Sequence, residues 1–368
     1  MSGNEGSTPT PAATSAAPAR SRYQVEERDG ERWIVCGSAR NIRLHVVHGL
    51  SVGEAARKRY PEQTIFLDGV YTGPPFYDNK ARHYSLDHHT GCVRAFTLAT
   101  CEQAAVMVLQ GLPLGEGEWH LYVNLPDLDA LLAGWVLLNH LELLADNAEL
   151  FWRTMPLIRV EGVIDAHGLD MEILCGMDRQ SYLARKEALD RLRAEQRLTA
   201  VGRWESIDLV SYSRRMLDAF DAEIFPPELL ARLLDIDEIA TISLQGQKLA
   251  VLCRSHLSIY EVEALLKERH EKQLALIVLD LGGGRYTLRQ ADPFLDKNLT
   301  ALYPALNQRD SRASDHGGAD NLWGGSDDIG GSPRATGSAL SGEEILKIAQ
   351  QVYGGSGWLD RLVRRFRP

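Results

Sequence analysis

What this chain has little of narrows its class before any motif is read. Its five cysteines, Cys36, Cys92, Cys101, Cys175 and Cys253, are odd in number and scattered, with no Cys-x-x-Cys pair. That excludes a disulfide framework and a zinc ribbon, and leaves Cys92 and Cys101 as small buried hydrophobes. No apolar run reaches the roughly 18 residues of a membrane-spanning helix, and no secretory leader is legible, so the expected compartment is the cytoplasm. Positive charge is also short: 40 Lys and Arg face 50 Asp and Glu, a formal net charge of -10. Such a balance argues against coating a long duplex through a broad basic surface, while leaving room for a short oligonucleotide in a local basic pocket.

What is present is the composition of a globular protein, 44% hydrophobic and 24% charged, over 368 residues, enough for two domains with ample cores. The chain is organised around Tyr84-Ser85-Leu86-Asp87-His88-His89-Thr90-Gly91, an apolar approach running into an acid, two imidazoles and a glycine. Thr64 to Leu67 is a second apolar run, ending in Asp68-Gly69. His120 to Asn124 is a third, followed by Leu125-Pro126-Asp127-Leu128-Asp129. Ile158 to Ile164 reads as a fourth strand, ending in Asp165-Ala166-His167-Gly168. In an open α/β domain such strand ends border the crevice where ligands bind. Clustered carboxylates and imidazoles would repel and desolvate one another unless cations lay between them, and an Asp-rich donor set suits Mn²⁺ or Mg²⁺, two ions being expected. For Asp127 and Asp129 the plainer alternative is helix capping at the start of a helix running to about Leu144. His120 and His140 read as ordinary partly buried histidines, and His167 as a residue near the metals or facing substrate.

These residues resemble the DHH phosphoesterases, with their companion DHH-associated domain, over roughly residues 40 to 345. Asp87-His88-His89 looks like the signature tripeptide, Asp68 like the lone Asp of the preceding strand, Pro126-Asp127-Leu128-Asp129 like the paired-Asp motif, and Asp165 like the last metal-binding Asp. The resemblance implies that Asp68, Asp87, His88, Asp127, Asp129 and Asp165 hold the metals, with Asp87 and His89 as catalytic residues and His89 facing the scissile phosphate. Two departures stand out. The paired-Asp motif follows Asp-His-His instead of preceding it, so either the domain is permuted or one match is false. Val123 occupies the place of a histidine, leaving one metal site short of a ligand or filled from elsewhere, with His48 as a candidate.

The order of the chain gives a disordered tail at 1–22, a metal-binding α/β domain with a parallel sheet at 23–176, a helical connector at 177–237, a smaller α/β domain at 238–353 and a cationic amphipathic tail at 354–368. The tail is too short for a stable membrane anchor. A helix is expected from Arg94 to Leu109 and another from Ile259 to His270. In the second domain, the glycine-dense stretch Leu322 to Gly337 could let backbone amides approach a phosphate. It resembles the substrate loop of the companion domain, with Arg289 as the preceding arginine, and it makes Gly330, Gly331 and Arg334, with His89, the expected substrate contacts; the histidine usual in that loop is absent. Arg309 to Asp320 just before it reads as disordered.

The expected function is hydrolysis of a phosphodiester in a short oligonucleotide or a (cyclic) dinucleotide in a cleft between the domains. Alternatives are a nucleotide-binding sensor with weakened catalysis and a hydrolase of pyrophosphate or polyphosphate. A second copy of the chain is a further candidate partner.

Overall fold

A computed structural model describes residues 20–145, 149–200, 204–313 and 321–354. The expected tails at 1–19 and 355–368, and most of the expected disordered stretch before Asp320, lie outside the described residues. The strands of the first half are β1 (Tyr23–Arg28), β2 (Glu31–Cys36), β3 (Ala39–Val46), β4 (Thr64–Leu67), β5 (Phe76–Asp78), β6 (His83–Leu86) and β7 (Trp119–Val123). They form one sheet in the order β1-β2-β3-β7-β4-β6-β5. Its centre, β3-β7-β4-β6, is parallel, as expected, and antiparallel β1, β2 and β5 make it a mixed sheet. β4 and β6 are buried along their whole length, the mark of parallel strands covered on both faces.

The helices of this half are α1 (Glu54–Arg57), α2 (Thr100–Leu109), α3 (Leu128–Leu138), α4 (His140–Leu143), α5 (Glu149–His167), α6 (Arg179–Ala200), α7 (Leu209–Ile224) and α8 (Pro227–Leu233). Alternate residues of the central strands, such as Ile42, Leu44, Ile65, Leu67, Leu121 and Val123, meet α2, α3, α5 and α7 in one large core. The opposite face carries a smaller aromatic cluster around Phe66, Tyr60, Tyr71 and Tyr122. All eleven residues of α3 are buried, so this helix is apolar all round and sits inside the helical layer.

Two expectations are corrected here. Ile158 to Ile164 is not a strand but the middle of α5: its β-branched density imitates one, whereas burial on several sides of a central helix erases the helical period. The expected connector is helical, yet Leu189, Met216, Leu217 and Phe220 are fully buried in the first core, so α6 and α7 complete that core rather than bridging solvent.

Arg22, read from composition as part of a tail, is fully buried, because its guanidinium donates to Asn139 Oδ1 (3.0 Å), Ser38 Oγ (3.0 Å), Glu142 Oε1 (2.7 Å) and Asp221 Oδ2 (3.2 Å). Asp221 also accepts from the Tyr23 hydroxyl and the Trp135 indole, each at 2.7 Å.

The second sheet, in the order β12-β13-β11-β10-β9-β8, is built from β8 (Ile236–Ser243), β9 (Leu249–Ser255), β10 (Leu274–Asp280), β11 (Tyr286–Gln290), β12 (Gly324–Gly325) and β13 (Ile329–Gly331). Only β9 and β10 run parallel. α9 (Ile259–His270) covers one face, and α10 (Leu299–Arg309) and α11 (Gly342–Tyr353) the other. The sequence places α9 where it is found, opened by a Ser258–Glu261 capping box. Among the described residues no helix is long and apolar enough to cross a membrane.

Candidate metal centre

Parallel pairing puts Leu67 beside Leu86, so β4 and β6 release Asp68 and Asp87 at the same sheet edge, with the Asp68 amide donating to Leu86 O at 2.9 Å. Asp68 has φ +50° and Gly69 +72°, which turns the chain sharply back at the strand end. A left-handed aspartate is an uncommon conformation that the surroundings must enforce.

Asp87 folds onto the backbone that follows it. Its Oδ1 accepts from the amides of His88 (2.7 Å) and His89 (3.0 Å) and lies 2.8 Å from His89 Nδ1, while the buried Oδ2 has no partner. Burial opposes ionisation of Asp87, but the hydrogen bonds with His89 outweigh it and hold the carboxyl below its usual range. His89 is correspondingly raised by that bond. The fully buried His88 is more unusual, since Nδ1 has no partner and Nε2 makes no hydrogen bond of good geometry. Its Nε2 faces carboxylate oxygens of Asp165 at 3.0 Å and of Asp68 and Asp129 at 3.6 Å.

Asp127 and Asp129 enter from the start of α3. Asp127 caps that helix, its Oδ1 accepting from Ala130 N at 2.9 Å, and burial together with the charge of Asp129 pushes its carboxyl up to about 7. Asp68 is likewise driven well above its ordinary value, by burial first and then by Asp127 and Asp129. Capping and membership of the acidic cluster thus coexist in Asp127. Asp129 is held from the other side by the amino terminus of α2, where Thr100 N and Cys101 N donate to its two oxygens at 2.9 and 2.8 Å. Asp165 arrives from the last turns of α5 instead of a strand. Burial raises it, but His88 and Arg94 more than compensate, and Arg94 Nη2 lies 2.8 Å from its Oδ2.

Four of the six expected metal residues, Asp68, His88, Asp129 and Asp165, converge through two triads that share His88: Asp68, His88 and His89, and His88, Asp129 and Asp165; Asp87 and Asp127 belong to neither triad, whereas His89, expected as a catalytic residue, belongs to one. Val123 is fully buried in the core, and His48 is exposed beyond the end of β3, outside both triads. His120 stacks on His45 across the far face of the sheet, buried His140 lies 3.0 Å from Leu137 O, and His167 is partly buried at the end of α5.

Of the expected substrate residues, His89 belongs to this cluster, and the others lie in the second sheet and the turn after it. Arg289 is paired with Glu263 Oε2 (2.7 Å) and with Asp328, beside the Tyr260 ring. Gly330 and Gly331 lie in the β13 ladder between β11 and β12. A side chain at Gly330 would meet Tyr303 Oη at 2.1 Å, so close approach within the sheet already accounts for this glycine. Arg334 is exposed in the following turn. Among the described residues, no hydrogen bond or ion pair joins Arg289, Gly330, Gly331 or Arg334 to the acidic cluster.

Sequence reasoning missed two residues at the centre. Arg94 borders Asp165, and Thr100, besides its amide contact, donates its hydroxyl to Asp68 Oδ1 at 3.1 Å. The helix expected from Arg94 begins at Thr100, so Arg94 is left in the preceding turn. Because the Thr100 hydroxyl orients Asp68, Thr100→Val, which keeps the amide bond to Asp129, is expected to weaken Mn²⁺ binding by about 10–100-fold, the usual cost of losing a group that orients metal ligands. Calorimetric titration of Mn²⁺ into both proteins checks this; equal affinities would leave Thr100 a packing residue only.

Comparison with protein-family models and with curated proteins finds no match. Among solved structures the chain is similar to the crystal structure of an uncharacterized protein from Helicobacter pylori G27, at 10% identity over 82% of this chain and 85% of that one, with a TM-score of 0.23. A likeness that slight carries no argument.

Proposed function

We propose that this chain is a divalent-metal-dependent phosphoesterase of the DHH type, acting on a phosphodiester in a short oligonucleotide or a (cyclic) dinucleotide. The observation that carries the reading is His88, a fully buried imidazole whose Nδ1 has no partner and whose Nε2 faces three carboxylates without a well-formed hydrogen bond to any, next to an Asp87 oxygen that is buried and has no hydrogen-bond partner. Buried polar atoms are almost always satisfied, so carboxylates and an imidazole crowded together with so few hydrogen bonds fit a site that binds a cation. Oxygen-rich donors with imidazole fit Mn²⁺ or Mg²⁺ better than Zn²⁺.

Asp68, Asp87, His88, Asp127, Asp129 and Asp165 would hold one or two such ions. When bound, ions of this kind supply hydroxide at neutral pH and stabilise charge on phosphoryl oxygens. The chain's own residues do the rest. Asp87 fixes the His89 ring through Nδ1 and favours its protonated form, whose second N–H, on Nε2 of this half-exposed side chain, is then the donor toward a phosphate oxygen. Thr100 and Cys101 hold Asp129 so that little reorganisation is needed on loading.

Release of mononucleotides from a dinucleotide, dependent on Mn²⁺ and lost in Asp87→Ala and Asp127→Ala, is the direct test; unchanged activity in both variants ends the proposal. Comparison with pyrophosphate as substrate separates a phosphodiesterase from a phosphoanhydride hydrolase. Mn²⁺ is also expected to stabilise the fold by about 2.7 kcal/mol at a hundredfold excess over its Kd, read from urea unfolding with and without EDTA. A second reading, a nucleotide-binding sensor with weakened catalysis, draws on the buried Val123 in place of a ligand and on the ion pairs already occupying Arg289. Tight nucleotide binding with no product over hours, Mn²⁺ present, would favour it.

A further inference from the structure

We propose that the segment from Thr90 to Leu98 is a nucleobase-binding lip of the metal centre, in which Phe96 stacks on a base of the substrate and Arg94 holds its neighbouring phosphate; this rests on the phosphoesterase reading above. The segment continues directly from Asp87-His88-His89, and it is ordered from both ends. The Gln103 side chain donates to Asp87 O (2.8 Å) and Leu98 O (2.7 Å), while its oxygen accepts from Asp87 N at 3.2 Å. Inside the loop, Val93 O accepts from Phe96 N at 2.8 Å and from Thr97 N and Oγ1 at 3.1 Å each. Gly91, at φ +74°, packs so closely on Pro74 that a side chain there would sit 2.8 Å from Pro74 Cβ.

This clamped loop nevertheless turns apolar groups to water, with Phe96 88%, Val93 62% and Leu98 42% exposed. An aromatic ring held in solvent by a braced turn is preorganised for a flat apolar partner, because the ordering cost precedes binding. Two residues earlier, the half-exposed Arg94 guanidinium reaches Asp165 Oδ2 and Asp165 O at 2.8 Å, placing a cation at the rim of the centre. An exposed ring two residues from a guanidinium in one braced loop, next to a site that would receive phosphate, complements a ligand with one planar apolar part and one anionic part. That is the pairing by which single-stranded nucleic acid is held without sequence readout. The opposite charges of Arg94 and the phosphate favour a nucleotide over an apolar protein face as the occupant.

The probe is 2-aminopurine riboside 5′-monophosphate, whose base fluorescence is quenched by stacking, titrated in Mn²⁺ into the full chain. Wild type and Phe96→Tyr are expected to quench it, and Phe96→Ala to bind about tenfold more weakly without quenching, the typical loss of one stacked base. Affinity for inorganic phosphate should be equal in all three. Equal quenching and affinity in Phe96→Ala overturn the proposal, as does absence of binding in wild type. A change of oligomeric state in Phe96→Ala, by light scattering and without change in quenching, would assign the ring to a second copy and overturn it too. Hydrolysis with an unchanged KM for dinucleotide in Phe96→Ala removes the lip but leaves the phosphoesterase. Phe96-dependent quenching without any hydrolysis removes the phosphoesterase but leaves the lip.

Discussion

Asp127→Asn is expected to lower Mn²⁺-dependent hydrolysis by about 10³-fold, the rate equivalent of several kcal/mol of charge stabilisation, while leaving α3 intact. Asparagine caps helices as well as aspartate does, so the bond to Ala130 N survives the exchange and only the outer carboxylate oxygen is lost. The variant thereby separates the two roles that one side chain combines. The same exchange changes how stability depends on pH in the metal-free protein. Asp127 titrates near 7 in the fold instead of near its ordinary 3.8, because burial and then Asp129 oppose its charge. The folded state therefore keeps a proton that the unfolded chain releases. Between about pH 4 and pH 7 wild type must lose stability from this group as pH rises, and Asp127→Asn must lack that loss. Urea midpoints measured across this range in EDTA, beside the rate in Mn²⁺, check both halves. Full activity with a weakened fold would reduce Asp127 to a helix cap.

The largest stability change is expected at Arg22. Its charge, fully buried, is matched by Asp221 and Glu142, and Arg22→Met leaves Asp221 facing only neutral donors and takes the cationic partner from Glu142. Breaking a buried pair from one side costs about 3–5 kcal/mol, a large part of a domain's stability. Urea unfolding of Arg22→Met measures it, and a loss below about 1 kcal/mol would show that water or rearrangement satisfies the acids. In Arg22→Met/Asp221→Leu, where the replaced groups are apolar, part of the loss should return.

Much of the centre could be read from sequence because its acids terminate apolar runs: a buried strand that stops at Asp68 or Asp87 announces both the element and the edge. Asp127 and Asp129 were legible for a second reason, as the opening of a helix. Asp165 was placed correctly in the cluster but on the wrong element, since Ile158, Val160 and Val163 carry no period when a helix is buried on several sides. Arg94 and Thr100 were invisible as parts of the centre because their roles depend on contacts across the fold, with Asp165, Asp129 and Asp68. The glycines at 330 and 331 suggest an anion cradle to a reader of sequence, whereas the structure supplies a tertiary demand, the Tyr303 hydroxyl and a neighbouring strand. Buried Arg22 was lost in a low-complexity neighbourhood, its partners lying far along the chain.

The helix that begins at Asp127 ends at Asn139, whose side chain bonds Arg22 and the Tyr23 hydroxyl. About 18 Å of close-packed α-helix, at 1.5 Å per residue, separates those ends. A rod with no solvent face cannot absorb displacement at one end by bending at a surface, since packed interiors transmit strain. The seating of the amino-terminal segment and the spacing of the carboxylates are therefore set by one lever, and loosening the first must shift the second.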